Sequence, residues 1–532
     1  MKLLYIILVL LPLRILAAPL APTDLVLVAH INSVEIRWSD NASDETGYKI
    51  YRDNNLIYTT VANVTTHFDL GLEANHTYTY TIKATDDQQR ADFFPIGVYY
   101  LRGQKPIQSD TDDPNDPDYV PLDGDFRYNP TIAENEYLKE FQDLKSYGFN
   151  TAILMINPLV HPSSDEDRAK RVVNGLLNAA QNSSMQIVVP ISKTTALLSE
   201  NHELLSDEQI RDVLRLDYID LFIASNSVFG YQVFDEPVPI GFDGVYGPAY
   251  KQVDPDQLGQ VHNIITSLDT NAYAISTWNN IESMELLNDE MNPDSILVDL
   301  YPFALDAYNG EQADGDTPLG DLSDANPRGD EGGSFYGGVD QPTYTQWLQR
   351  TQAIAADKPV WVAIQAFGGD SYWRSPIAKE LRLQVFSSIK NGAKGIFYFM
   401  YQSESWADGL MDMEYKETPL IKEAKEINKK VETLAPTLLR LTLTDNHAKT
   451  SGAEVQTFTH ENGGKYLIVV NSDVIHSSTI TILIEKSWFL NAKRATDIYT
   501  HDSFMISDEN DQYLKVQLPI EAADGRVILL KD

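Results

Sequence analysis

At 532 residues the chain is too long for a single compact core, and at roughly 100 to 200 residues per domain it divides into about three units. Its 43% hydrophobic and 22% charged residues are ordinary for globular protein and exclude long disordered or fibrous stretches. A net charge of −36, from 41 basic and 77 acidic residues, excludes nucleic acid and anionic membrane surfaces as natural partners, and the absence of cysteine removes disulfides, thiol nucleophiles and thiolate metal sites.

In chain order, residues 1–18 read as a secretory signal peptide: Lys2, an apolar run from Leu3 to Leu16, then Ala17 and Ala18. No later segment is long and apolar enough to insert into a membrane once that peptide is cleaved, so the expected location is secreted, cell-surface or periplasmic. Residues 22–88 alternate apolar and polar positions in short runs (LVLVAHI, SVEIRWSD, GYKIYRD, TYTYTIKATD), the pattern of a small β-sandwich. Trp38, Tyr48, Tyr51 and the pair Leu72 and Tyr78 make this segment resemble a fibronectin type III module, and the resemblance implies a tyrosine corner at Tyr78. The module is expected to act as a spacer whose aromatics form its own core.

Residues 93–435 carry eight strand-like runs, FPIGVYYL, NTAILMIN, QIVVPIS, GYQVFDEP, AYAISTWN, SILVDLYPF, VWVAIQAFGG and GIFYFMYQ, alternating with amphipathic helical stretches. That predicts a (β/α)8 TIM barrel; a doubly wound sheet would want a Gly-rich phosphate turn after its first strand, and GQKP is not one. Two long connections, Gly103 to Pro130 and Tyr308 to Gly338, leave strand ends where barrel active sites are built. In the first, the carboxylates between Asp110 and Asp118 have the chemistry for a structural calcium ion, without the spacing of an EF-hand; an acidic solvated loop is the simpler reading, and no other cofactor is expected. Residues 437–532 return to strand patterns and predict a C-terminal β-sandwich, giving a multidomain chain with the barrel flanked by a sandwich on either side.

The chemistry is expected at the C-terminal ends of the barrel strands. Strand four ends in Asp235 and Glu236, with Pro237 turning the chain outward. Glycosidic cleavage needs a carboxylic acid to protonate the departing oxygen and a second group on the opposite face of the sugar. The Asp-Glu tip resembles that of clan A glycoside hydrolases, which end strand four in Asn-Glu with the Glu as acid/base, and the resemblance implies that role for Glu236. In that clan the nucleophile ends strand seven, where this chain has Gln365, which cannot form a glycosyl ester. Asp299 on strand six is the alternative partner, as nucleophile or base. A second resemblance is to hexosaminidases with an adjacent Asp-Glu pair, and it implies substrate-assisted cleavage of an N-acetylated sugar, with Asp235 orienting the acetamido group.

Rings and polar groups at other strand ends, Trp278, Tyr301, Gln365, Trp373, Tyr401 and Glu404, are expected to bind the substrate, since sugar C–H faces stack on aromatic planes. No nucleophile elbow, zincin or phosphate-loop motif is present. The expected function is a glycoside hydrolase acting on a polysaccharide or oligosaccharide. A noncatalytic glycan-binding protein on the same scaffold is the other class that Gln365 permits.

Overall fold

A computed structural model describes residues 20–29, 33–42, 47–52, 55–59, 65–70, 72, 76–85, 93–100, 133–154, 166–191, 205–216, 219–223, 225–239, 252–253, 255–269, 272–279, 281–303, 344–356, 358–369, 373–404 and 406–532. The signal-like segment, the Asp110–Asp118 loop and the Tyr308–Gly338 connection lie outside these residues. The chain divides into two compact units, Met1–Gln89 and Arg90–Asp532.

The first unit holds two three-stranded antiparallel sheets. One orders Thr23–Ala29, Ser33–Ser39 and Thr66–Leu70; the other orders Asn55–Thr59, Gly47–Arg52 and Tyr80–Thr85. Ile36, Trp38, Tyr48, Ile50 and Tyr80 form its core, with the Trp38 and Tyr48 rings edge to face at 5.5 Å. Asp69, buried on one sheet, accepts both bonds of Arg52 Nη1 at 3.0 Å and the Tyr80 hydroxyl at 2.7 Å from the other. Tyr78, the residue expected at the corner, is half-buried with its ring 5.4 Å from the Arg52 guanidinium, and Leu72 is buried. The Tyr80 hydroxyl is bonded across to the strand that precedes its own.

The second unit opens with a closed barrel of eight parallel strands: Ile96–Tyr100, Thr151–Leu154, Gln186–Pro190, Val228–Asp235, Tyr273–Trp278, Ser295–Leu300, Val360–Gln365 and Gly395–Phe399. Each pairs with its successor and the eighth pairs with the first, so all eight runs read from the sequence are barrel strands. Strands of this kind are buried on both faces, which is why they read as near-continuous apolar runs. One face packs on the surrounding helices. The other fills the lumen, where Phe229, Tyr273, Trp361 and Phe397 meet with ring centroids 4.9–6.1 Å apart. Burying each such ring contributes about 1.5–3 kcal/mol. Gly97 makes room for them: a Cβ there would lie 2.2 Å from the Phe397 ring. The barrel floor is therefore solid, and its chemistry is confined to the C-terminal mouth.

The last barrel helix, Pro419–Leu438, runs through Pro436, so the boundary expected at residues 435–437 falls inside a helix and the sandwich begins at Leu441. A proline this close to a helix end removes one hydrogen bond without breaking a following turn. The open carbonyls beyond it, of Leu438, Leu439 and Leu441, accept from Lys394 Nζ, and burial lowers the pKa of that ammonium to about 8. The sandwich stacks a six-stranded sheet on a four-stranded one. Strand Lys465–Val470 divides its side chains by period two: Leu467 and Val469 enter the sandwich core, while Tyr466, Ile468 and Val470 join the barrel's helical layer. Lys430, bonded to Asp524 and to the Gly525 carbonyl, and Lys390, bonded to Glu454, close the polar side of that contact. Among the described residues no helix is long and apolar enough to cross a membrane.

Behind strand five, His262 is buried with Nε2 3.1 Å from Ser276 Oγ, and burial, assisted by Lys358, lowers its pKa from 6.5 to about 3. Between those values the unfolded chain binds a proton that the folded one refuses, so stability present above pH 6.5 is lost as pH falls toward 3. The urea midpoint of the wild type is expected to fall through this window, and His262→Gln to flatten part of the slope. Parallel curves for the two proteins would show that His262 does not titrate on unfolding.

Candidate active site

Strand four is irregular where it matters. Its register with strand five shifts between Gln232 and Phe234, so that Gln232 stands opposite Ile275 and Asp235 opposite Thr277. Residues three apart would face opposite sides of a regular strand; the extra residue brings both to the lumen side. Gln232 Nε2 donates to Asp235 Oδ1 at 3.1 Å and to Thr277 Oγ1 at 2.7 Å.

Glu236 follows with φ of 54°, in the left-handed region that costs a residue with a Cβ about 1–2 kcal/mol. Its amide donates to the Thr277 carbonyl at 2.9 Å, which holds the turn. The consequence is a split between neighbours: Asp235 is exposed, and Glu236 is buried with 4% of its surface accessible. Strain of this kind concentrates at functional sites because the surrounding structure has to enforce it.

Strand six places Leu297, Asp299 and Tyr301 on the lumen side by period two, and Asp299 and Tyr301 are buried at 5% and 4% exposure. At the end of strand one, Tyr99 faces the same space. It stands beside Thr277, and burial, with the charges of Asp235, Asp299 and Glu236 nearby, pushes its pKa well above the usual phenol range. The three carboxylates named from the sequence are thus brought to one mouth, and Tyr99, Thr277 and Gln232, which sequence reading missed, stand among them.

An aromatic wall rises over strands six to eight. Tyr301 meets Phe367 at 4.9 Å, Trp373 at 5.7 Å and Phe399 at 5.8 Å. Trp373 is fixed by reciprocal backbone bonds to Gly369 at 3.0 and 3.2 Å, and Gly369 also pairs with Ala407 of the strand-eight loop. A Cβ on Gly369 would lie 2.3 Å from the Trp406 carbonyl oxygen, so this zip between the two loops requires glycine. Trp406, 45% exposed, extends the wall, its ring 6.4 Å from Phe399.

Three residues expected to bind substrate are placed elsewhere. Trp278 is 1% exposed and belongs to the layer between strands and helices, because its strand turns Tyr273 and Ile275 to the lumen and sends Trp278 outward. Tyr401 packs in the same outer layer, 6.4 Å from Tyr100. Gln365 is completely buried with both ends of its amide engaged: Oε1 accepts from the Phe303 amide at 2.8 Å, and Nε2 donates to the carbonyls of Phe367 at 3.2 Å and Arg374 at 2.9 Å. It braces three chain segments and presents nothing to a ligand. Glu404 is half-buried in the strand-eight loop, with its main chain bonded reciprocally to Ala407.

Fold and site together define a (β/α)8-barrel protein with a C-terminal β-sandwich and a cluster of carboxylates at the ends of strands four and six. No protein-family model matches the chain, and no curated protein matches it. Among solved structures it is similar to an alpha-amylase from Geobacillus thermoleovorans, at 13% identity and a TM-score of 0.47 over 82% of this chain and 98% of that one. It is also similar to an alpha-L-fucosidase from Bacteroides thetaiotaomicron, at 10% identity and a TM-score of 0.44 over 84% and 95% of the two chains. A native xylanase 10B from Thermotoga maritima aligns at 13% identity and a TM-score of 0.36, over 64% of this chain and 97% of that one.

Proposed function

We propose that the protein is a glycoside hydrolase acting on a polysaccharide or oligosaccharide, with Glu236 as general acid/base and Asp235 or Asp299 as the second carboxylate. The observation that carries this reading is the gathering of Asp235, Glu236 and Asp299, from two strands, around Tyr99 at a barrel mouth walled by Tyr301 and Trp373. Two carboxyl groups flanking a bond, beside rings that accept a sugar's C–H face, are what glycosidic hydrolysis requires. Because Gln365 is spent as a brace, the second group comes from strand four or strand six.

A second reading, cleavage assisted by the substrate's own acetamido group, is favoured by the placing of Asp235 beside Glu236 and of Tyr301 against Trp373. In it Asp235 orients the acetamido group and Tyr301 receives its oxygen. The export of the chain and the fibronectin-like spacer belong to the same proposal, as parts of one secreted enzyme.

The experiment is reducing-end release from a panel of neutral, sulfated and N-acetylated glycans. Release from at least one of them is the expected result, and release from N-acetylated glycans alone would select the assisted mechanism. Binding to a glycan with no release from any would replace the hydrolase by a glycan-binding protein.

A further inference from the structure

Thr277 reaches the tip of strand four by its main chain and by its side chain. Its carbonyl oxygen accepts the Glu236 amide at 2.9 Å, in the turn where Glu236 takes its left-handed conformation. Its hydroxyl accepts from Gln232 Nε2 at 2.7 Å, and the same nitrogen donates to Asp235 at 3.1 Å. That hydroxyl also stands beside Tyr99, whose ring is held edge-on by Phe399 at 5.1 Å. Thr277 is 1% exposed and Gln232 8%, so neither competes with bulk water for these bonds. A chain of bonds in such a place orients its members more firmly than the same chain in solvent.

We infer that Thr277, with Gln232 and Tyr99, is a positioning device that aims Asp235 and Glu236 as a pair, tying strand one through strand five to the tip of strand four. This rests on the hydrolase reading for its effect on rate, and on the geometry alone for its effect on structure. None of the three residues has to touch the sugar. Asp235 gains from the device because it is exposed: the Gln232 bond fixes the rotamer of a carboxylate at a strand tip, and loss of orientation by about 1 Å lowers a rate by about 10²-fold.

The test is Thr277→Val, which has the same shape, retains the carbonyl bond to Glu236 and removes only the hydroxyl. On whichever glycan the wild type cleaves, kcat is expected to fall by about 10- to 100-fold with KM changed less than about twofold, and Thr277→Ser to recover most of the loss. Crystal structures of wild type and Thr277→Val, solved at one pH, supply an arm that needs no substrate. A rotated Asp235 carboxyl group and a displaced Gln232 amide are expected there. An unchanged kcat, or Asp235 and Gln232 in their wild-type positions, would overturn the inference. Absence of glycan cleavage by the wild type would instead remove the hydrolase reading, with the crystallographic comparison still deciding whether Thr277 positions the pair.

Discussion

Glu236→Gln is expected to lower kcat by about 10²- to 10⁴-fold on any glycan the wild type cleaves, the range for losing a positioned general acid. The substitution isolates proton transfer. Gln has the size of Glu, so the buried position at 4% exposure stays filled, and the backbone bond to Thr277 is untouched. What is lost is a proton for the departing oxygen. Thermal midpoints within a few degrees of each other would show that the fold survives, and near-normal turnover in the variant would remove Glu236 from the mechanism. Asp235→Asn and Asp299→Asn, measured beside it, divide the second role: the partner carboxylate gives the deeper loss.

Gln365→Glu is expected to destabilise the protein by about 2–5 kcal/mol and to add no turnover. By position in the barrel this change looks like restoring a missing nucleophile. The contacts say otherwise. Gln365 Nε2 donates to two backbone carbonyls, and a carboxylate there would point an oxygen at both. The neighbouring cation offers no relief, since the Arg374 guanidinium is already held by both oxygens of the buried Glu380 at 2.6 and 2.8 Å. One of the two carbonyls belongs to Arg374, the residue after Trp373, so the damage would reach the aromatic wall. Urea denaturation and initial rates check both halves. A variant as stable as wild type with raised turnover would mean that strand seven carries a clan A catalytic position after all.

The eight barrel strands were legible because a strand covered on both faces has to be apolar along its whole length, and VWVAIQ or SILVDL reads that way without any neighbour in view. The strand-four carboxylates were legible for the opposite reason: two charges followed by proline end an apolar run. Asp299 with Tyr301 followed from period two along a strand whose polar residue fixed the lumen face. A proline at position 436 reads as the end of the last helix, and the fold nevertheless carries the helix to Leu438.

The same double burial hid the rest of the site. In AYAISTWN both Thr277 and Trp278 end the strand, and hydropathy does not distinguish lumen from helix layer when both are apolar; sugar-binding chemistry points to the tryptophan, and the lumen side holds the threonine. Tyr99 and Tyr100 pose the same choice, and the lumen took Tyr99. By itself the sequence determined the barrel, its terminal sandwich and which carboxylates stand at its rim, since these depend on local period and on where apolar runs stop. Only the tertiary structure decided which alternate residues face the lumen, how the bulge in strand four turns Gln232 and Asp235 together, and that Gln365 is a brace, because each depends on contacts with segments that local hydropathy does not reveal, such as Thr277 for Gln232 and Phe303 for Gln365.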